Sequence, residues 1–208
     1  MADLDDVRGH RPTGRIATEM AEVLLYHHIQ GLTDGVRAFA DELRADGHTV
    51  HTPDLFDGRT FDSIEEGFAF AQEAGFDRLR ERGAAAAEGL GPGLVYAGMS
   101  FGVMIAQRLA QTEPGARGAL LLFSCVPVSE FGESWPDGVT VQIHGKDGDE
   151  FFDEDLPAAR ELAESTDAAE LFVYPGNQHL FADSSLDAYD PESAALLLER
   201  VRAFLARV

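Results

Sequence analysis

Three short segments of the chain carry side chains that could together perform nucleophilic chemistry. Residues 98–102 read Gly-Met-Ser-Phe-Gly, so Ser100 stands close to a glycine on each side. Two candidate acids, Asp147 and Asp149, and then a candidate base, His179, follow downstream. A serine hydroxyl is a poor nucleophile at neutral pH, and it needs a base within hydrogen-bond reach and a third group that orients the base. These residue types, in this order, could attack a carbonyl carbon.

The sequence around Ser100 has the pattern of a strand, a sharp turn and a helix. Residues 93–97 form a short apolar run that predicts a strand, and residues 103–110 follow a helical pattern. Gly and Ser are common in turns, so a G-x-S-x-G motif alone is weak evidence. Between a strand and a helix, the motif predicts a nucleophile elbow, in which the glycines let the chain reverse and expose the serine oxygen. The N-terminus of the helix would direct N–H groups towards an anion beside the serine.

The candidate acids and the candidate base each follow a predicted strand. Residues 139–144 predict a strand that ends before Asp147 and Asp149, and residues 170–174 predict one that ends before His179. Ligand sites of open α/β sheets lie at the carboxyl ends of the strands, so the three loops could converge there. The order Ser, Asp, His along the chain is that of the α/β-hydrolases.

The remaining segments alternate between predicted strands and predicted helices, which is typical of a parallel sheet with helices on both faces. We predict an α/β protein with a minimal α/β-hydrolase fold: a mostly parallel, six-stranded sheet flanked by helices, with no lid domain. The predicted strands lie at residues 22–27, 48–51, 93–97, 118–123, 139–144 and 170–174. The predicted helices lie between Thr33 and Gly47, at residues 63–74, 77–87, 103–110 and 157–165, and from Asp190 towards the end.

One domain accounts for most of the chain. Residues 1–19 are rich in charge, Gly and Pro and lack a periodic apolar pattern, so we predict a flexible N-terminal tail. Residues 20–208 are predicted to form a single α/β-hydrolase domain, which is long enough to bury a substantial core.

The chain is strongly acidic. It contains 37 Asp and Glu residues against 16 Lys and Arg residues, a formal net charge of −21, and its only lysine is Lys146. Such a surface repels nucleic acid and anionic membranes, so we expect neither as a partner. Adaptation to high salt, or a genome whose base composition favours Arg over Lys, could produce this balance.

The sequence predicts a soluble, cytoplasmic protein that uses no cofactor and no metal. The longest uncharged apolar run, residues 118–128, is too short to span a bilayer. The single cysteine, Cys125, excludes an internal disulfide, fits a reducing compartment, and reads as a small buried thiol. Residues 147–155 look like a calcium loop, but Phe151 occupies a ligand position and the required glycine is absent.

Beyond the elbow, four further segments resemble the dienelactone hydrolase family of α/β-hydrolases. The similarity extends from about residue 21 to the C-terminus. The segments are residues 27–32, 47–55, 144–149 and 174–181, of which the last carries the most specific pattern, P-G-x-x-H-x-F. The resemblance implies that the backbone N–H groups of Ile29 and Phe101 bind an oxyanion.

The resemblance also implies the catalytic roles. Ser100 would be the nucleophile and His179 the general base and acid. In the family pattern, the acid is followed by one residue and then by an apolar pair. Asp149 fits that pattern and Asp147 stands two residues early, so we predict that Asp149 orients the histidine and that Asp147 is a solvated turn residue.

The chain departs from the family pattern at three positions. The namesake enzymes have a cysteine where this chain has Ser100, a glutamate where it has His28, and a substrate-binding arginine where it has Asp183. We expect His28 and Asp183 to lie at the substrate, with Asp183 repelling a carboxylate. Arg59, in the loop after the second strand, could replace the missing arginine as an anchor.

These residues predict an enzyme that cleaves carboxylic esters or lactones, with a small-molecule ester as its substrate. Two other functions stay open from the sequence. One is a thioesterase or acyltransferase that uses the same elbow, and the other is a catalytically inactive binding protein that keeps the fold.

Overall fold

The computed structural model describes residues 20–208; the predicted tail, residues 1–19, lies outside the described residues. The strands are β1 (Glu22–Tyr26), β2 (Thr49–His51), β3 (Leu94–Met99), β4 (Gly118–Leu122), β5 (Thr140–Lys146) and β6 (Ala169–Tyr174). The helices are α1 (Asp34–Ala45), α2 (Ile64–Ala74), α3 (Phe76–Ala85), α4 (Val103–Thr112), α5 (Glu150–Ser165) and α6 (Pro191–Leu205).

The six strands form one sheet in the order β2-β1-β3-β4-β5-β6. Every neighbouring pair is parallel, so the predicted α/β fold with a six-stranded sheet is confirmed. All residues of β3 and β4 are buried, as expected for central parallel strands that helices cover on both faces. The carboxyl ends of the strands therefore share one edge of the sheet, at which the predicted site residues follow β1, β3, β5 and β6.

Side chains that alternate along each strand divide the interior into two cores. In β1, Val23 and Leu25 pack with α1 and α6, whereas Leu24 and Tyr26 pack with residues of α2 to α5. Within the described residues, none of the helices has the length and apolar character needed to cross a membrane.

Helix α5 begins seven residues earlier than the sequence pattern predicts. The expected helix covered residues 157–165, whereas the helix runs from Glu150 to Ser165 with Pro157 in its interior. The Asp149 side chain accepts a hydrogen bond from the Phe151 N–H at 3.1 Å and so caps the helix. A proline is usually tolerated only in the first turn, so the early start could not be read from the position of Pro157.

The turn at Ser100 needs two glycines because the backbones around it approach closely. A Cβ on Gly98 would lie 2.5 Å from the Gly102 carbonyl, and a Cβ on Gly102 would lie 2.5 Å from the Tyr26 carbonyl oxygen. The elbow therefore rests directly on the end of β1. Ser100 itself has a φ of 49°, a left-handed conformation that non-glycine residues rarely adopt.

We predict that Gly102→Ala destabilises the fold by about 1–3 kcal/mol, because the added methyl group must displace the backbone at the end of β1. The measurement is the urea midpoint of unfolding. Gly91→Ala is the matched control, since a Cβ at Gly91 meets nothing within 4 Å. Equal effects of the two substitutions would contradict this packing argument.

Candidate active site

Three loops at the carboxyl edge of the sheet place a hydroxyl, an imidazole and a carboxylate so that hydrogen bonds connect them in series. Ser100 follows β3 directly, Asp149 follows β5 and caps α5, and His179 follows β6. The Ser100 Oγ lies 2.8 Å from His179 Nε2. His179 Nδ1 lies 2.6 Å from an oxygen of Asp149. The separations along the chain are 79 and 30 residues, so the fold alone creates this geometry.

The partners of His179 define its hydrogen-bonding state. A carboxylate only accepts hydrogen bonds, so His179 Nδ1 is protonated and its N–H donates a hydrogen bond to Asp149. Nε2 is then free to accept the Ser100 hydroxyl proton. Asp149 is only 1% exposed, and its other oxygen accepts the Phe151 N–H. This arrangement fixes the orientation of the imidazole and directs its basic nitrogen at the serine.

Asp147 has a different environment from Asp149. It is exposed, and its carboxylate accepts a hydrogen bond from the Gly176 N–H at 3.3 Å. Its backbone N–H donates to the Tyr174 carbonyl at 3.0 Å. Asp147 therefore connects the loop after β5 to the loop after β6. Its side chain does not belong to the hydrogen bonds that join Ser100, His179 and Asp149.

A buried lysine also supports the loop that carries His179. The Lys146 ammonium is 1% exposed and contacts the Gln178 side chain at 2.7 Å and the Asp190 carboxylate at 2.6 Å. The hydrogen bonds from Lys146 and Ser193 hold the pKa of the Asp190 carboxyl well below its usual range. The only lysine of the chain therefore links the residue before His179 to the start of α6.

The two residues predicted to supply oxyanion N–H groups flank the elbow. Phe101 follows Ser100 in the short helical turn that leads into α4. Ile29 lies in the loop after β1, whose end packs on Gly102. Within residues 20–208, the Ile29 N–H donates to no protein acceptor. This N–H is therefore not committed to another acceptor in the described part of the chain.

The expectation that His28 and Asp183 contact the substrate is not supported. Both side chains are fully buried, and they contact each other, with His28 Nε2 2.7 Å from an Asp183 oxygen. The side chain of Thr33 and both the N–H and the hydroxyl of Ser185 also donate to Asp183. A carboxylate with this many protein donors is directed into the protein and cannot meet a substrate in this conformation.

A cleft of about 610 Å³ borders His179. Apolar groups of the loop after β2 and of the loop after β6, such as Phe61, Leu180 and Leu186, form part of its wall. Three exposed carboxylates, Asp34, Asp62 and Asp187, also line it. The cleft therefore combines apolar surface with negative charge.

Arg59 lies beside the cleft lining rather than within it. The lining includes its neighbours Thr60 and Phe61, whereas the Arg59 guanidinium stacks over the ring of Phe70 at 5.1 Å. The predicted role of Arg59 as a substrate anchor therefore has no support in this conformation.

Sequence reasoning missed Phe151 and the cleft carboxylates. The Phe151 ring is 43% exposed, and its centroid lies 4.8 Å from that of the His179 ring. Its place two residues after Asp149 was a usable signal, because the start of a helix capped by Asp149 must lie near the histidine. Asp34, Asp62 and Asp187 carry no local motif, and only the tertiary structure brings them to one cleft.

The environment of Cys125 disfavours a reactive thiolate. The thiol is fully buried, and burial, with a smaller contribution from Asp155, raises its pKa to about 12. The Asp155 carboxylate accepts hydrogen bonds from the Ser124 hydroxyl and the Cys125 N–H, at 2.6 and 3.2 Å. Over residues 20–208, no group of three or more His, Cys, Asp or Glu side chains has an arrangement that could hold a metal ion.

Solved structures with the same fold come from several hydrolases. A proposed dienelactone hydrolase of Klebsiella pneumoniae subsp. pneumoniae superposes with a TM-score of 0.70 at 20% identity, over 91% of this chain and 88% of its own. A dienelactone hydrolase-like promiscuous phosphotriesterase from metagenomic libraries gives a TM-score of 0.68 at 16% identity, over 90% and 86%. Esterase 2 of Thermogutta terrifontis gives 0.56 at 16% identity, over 90% and 83%. At these identities the likeness shows the fold.

The sequence itself establishes the family. No curated protein matches the chain. A family model described as the dienelactone hydrolase family matches residues 11–208, which is nearly the whole chain. The resemblance seen in the sequence motifs is therefore confirmed: the chain belongs to the dienelactone hydrolase family of α/β-hydrolases and is a hydrolase that acts on ester bonds.

Proposed function

We propose that the protein is a serine hydrolase that cleaves carboxylic esters or lactones through an acyl-enzyme on Ser100. One observation carries the proposal: the continuous hydrogen bonds from Ser100 to His179 at 2.8 Å and from His179 to Asp149 at 2.6 Å. A base at this distance from a hydroxyl, oriented by a buried acid, is what a serine needs to act as a nucleophile. The esterase and phosphotriesterase among the proteins of similar fold also support ester hydrolysis.

The proposed reaction has two half-reactions. The Ser100 oxygen attacks the carbonyl carbon while His179 Nε2 takes its proton, and Asp149 stabilises the imidazolium that forms. The N–H groups of Ile29 and Phe101 donate to the negative oxygen of the tetrahedral intermediate. His179 then returns the proton to the leaving alcohol. Water attacks the acyl-enzyme with His179 again acting as the base, and the acid and free Ser100 are released.

The test of the nucleophile is labelling by a fluorophosphonate. The wild-type enzyme should gain one phosphonyl group by intact mass and lose its esterase activity. Ser100→Ala should fold, resist labelling and lose turnover by several orders of magnitude, since only binding and oxyanion contacts remain. Cys125→Ala is the matched control and should be labelled and retain most activity. A labelled or active Ser100→Ala enzyme would contradict the proposal.

The roles of the two candidate acids are tested separately. Asp149→Asn should lower kcat by roughly 10³- to 10⁴-fold, because the amide favours the wrong imidazole tautomer. Asp147→Asn removes a charge from the same turn but leaves His179 oriented, so kcat should change by less than about threefold. The measurement is kcat for one ester with all three enzymes. The reverse ranking would assign the orienting role to Asp147.

The hydrogen bonds that join Ser100, His179 and Asp149 favour an enzyme over a catalytically inactive binding protein, one of the two alternatives that the sequence left open. A thioesterase or acyltransferase would use the same groups, so a panel of matched esters and thioesters, with and without an alcohol acceptor, distinguishes these activities. Faster turnover of thioesters, or transfer to the alcohol in preference to water, would replace the proposal.

The charge of the cleft supports a preference for neutral substrates over anionic ones. Asp183 was expected to repel a carboxylate at the substrate, but its side chain is buried and hydrogen-bonded to His28, Thr33 and Ser185. Asp34, Asp62 and Asp187 take over that role, because all three are exposed and line the cleft beside His179. Like charges about 4 Å apart repel by about 1 kcal/mol in water, and salt screens this repulsion.

We therefore predict that kcat/KM is about fivefold higher for an ester carrying a carboxamide than for the same ester carrying a carboxylate. The gap should narrow at high salt and in the double variant Asp62→Asn, Asp187→Asn. The measurement is kcat/KM for both substrates at two ionic strengths. A wild-type preference for the carboxylate would contradict this and would make Arg59→Ala the next variant to test.

We propose a reducing, cytoplasmic location for this activity, which the single, buried cysteine supports.

A further inference from the structure

Two departures from the family pattern contact each other. His28 lies in the loop after β1, and Asp183 lies in the loop after β6, 155 residues away. The His28 Nε2 is 2.7 Å from the Asp183 carboxylate, and both side chains are completely buried. The contact therefore joins the loop that carries Ile29 to the loop that carries His179.

The hydrogen-bond partners of His28 define which of its ring nitrogens donates and which accepts. Because the Asp183 carboxylate can only accept, His28 Nε2 carries the proton, and His28 Nδ1 accepts the Gln30 N–H at 3.2 Å. Burial would raise the pKa of the Asp183 carboxyl, but the hydrogen bonds from His28, Ser185 and Thr33 outweigh burial and lower it to about 2. A charged acceptor thus anchors a chain of hydrogen bonds that ends on the backbone beside Ile29.

The loop after β1 is held from two sides. On one side, Gln30 and Phe61 exchange hydrogen bonds: the Phe61 N–H donates to the Gln30 carbonyl, and the Gln30 side chain donates to the Phe61 carbonyl, both at 3.0 Å. On the other side, the His28 imidazole accepts the Gln30 N–H and donates to Asp183. Ile29 lies between His28 and Gln30, and its N–H donates to no protein acceptor in the part of the chain that the structure describes. The carbonyl of the same peptide, that of His28, also accepts the Gly31 N–H at 3.0 Å and lies 2.7 Å from His27 Nδ1, so loss of the second side would loosen this peptide without detaching it.

We propose that Asp183 is a positioning residue which, through His28, holds the Ile29 N–H where the oxyanion of the transition state forms. The inference rests on the proposed function, because it assumes acyl transfer at Ser100. An oxyanion donor must be fixed within a few tenths of an ångström before the charge develops, and a buried, fully hydrogen-bonded carboxylate provides such an anchor. Asp183 touches neither substrate nor nucleophile and acts only through the loop.

The test uses an ester and its thionoester, in which sulfur replaces the carbonyl oxygen. Sulfur is a larger and weaker hydrogen-bond acceptor, so an intact oxyanion site favours the ester, and a loosened site loses that preference. We expect Asp183→Ala to lower kcat for the ester by roughly 10- to 100-fold with KM changed less than about threefold. The ratio of kcat/KM for ester over thionoester should fall by about tenfold or more.

Two variants of His28 test the route and serve if Asp183→Ala does not fold. His28→Asn offers an acceptor to the Gln30 N–H but removes the donor to Asp183, and it should lower the ester-to-thionoester ratio as Asp183→Ala does. His28→Gln can donate to Asp183 but lacks the ring acceptor for the Gln30 N–H, so it should also lower the ratio, because the route needs both hydrogen bonds. An unchanged ratio in either variant would contradict a route from Asp183 through His28 to the Gln30 N–H.

His144→Asn is the control for simple destabilisation. His144 is a fully buried histidine with two side-chain partners, Tyr174 and Gln142, and it belongs to neither loop. The His144→Asn substitution should lower the melting temperature and leave the ester-to-thionoester ratio of kcat/KM unchanged. A lower melting temperature with an unchanged ratio in Asp183→Ala or His28→Asn would overturn the inference. Turnover close to the wild-type rate in Ser100→Ala would instead overturn the proposed function, so the two failures are distinguishable.

Discussion

The left-handed backbone at Ser100 is the constraint on which the rest of the site depends. A φ of 49° costs a non-glycine residue roughly 1–2 kcal/mol, so the surrounding structure must hold it. Gly98 and Gly102 provide this by letting β3, α4 and the end of β1 approach to distances that any side chain would prevent. The turn fixes the serine oxygen in space, the loop after β6 supplies His179, which contacts that oxygen, and the loop after β5 supplies Asp149, which orients His179.

Strained backbone recurs at the same edge of the sheet. Among the described residues, four that are not glycine have a positive φ, and three of them follow β3, β4 and β6: Ser100, Phe123 at 70° and Leu180 at 59°. Leu180 comes directly after His179, and the Phe123 ring packs between His179 and Phe181. The two fully buried rings and the buried Leu180 side chain offset the strain, so packing in the core keeps the base at its place.

How much of this could be predicted depends on how local each signal is. Three predictions use patterns of neighbouring residues, which are visible in the sequence alone. They are the elbow, the alternation of strands and helices, and the preference for Asp149 over Asp147. The contact between His28 and Asp183 joins residues 155 positions apart, and no local pattern shows that two polar side chains will satisfy each other in the interior. Each residue alone therefore suggested a role at the substrate, and the cleft carboxylates were missed for the same reason.

The site contains two buried pairs of imidazole and carboxylate. Both have the same hydrogen bond between ring and carboxylate, but the second ring nitrogen has a different partner in each. In each, one ring nitrogen donates to a carboxylate, Asp149 for His179 and Asp183 for His28, which leaves the second nitrogen as an acceptor. The second nitrogen of His179 faces a hydroxyl and can take its proton, whereas that of His28 faces a backbone N–H, which does not give up its proton. The same kind of pair therefore suits general-base chemistry in one loop and holds the backbone in the other. The group that faces the second ring nitrogen determines which of the two it does.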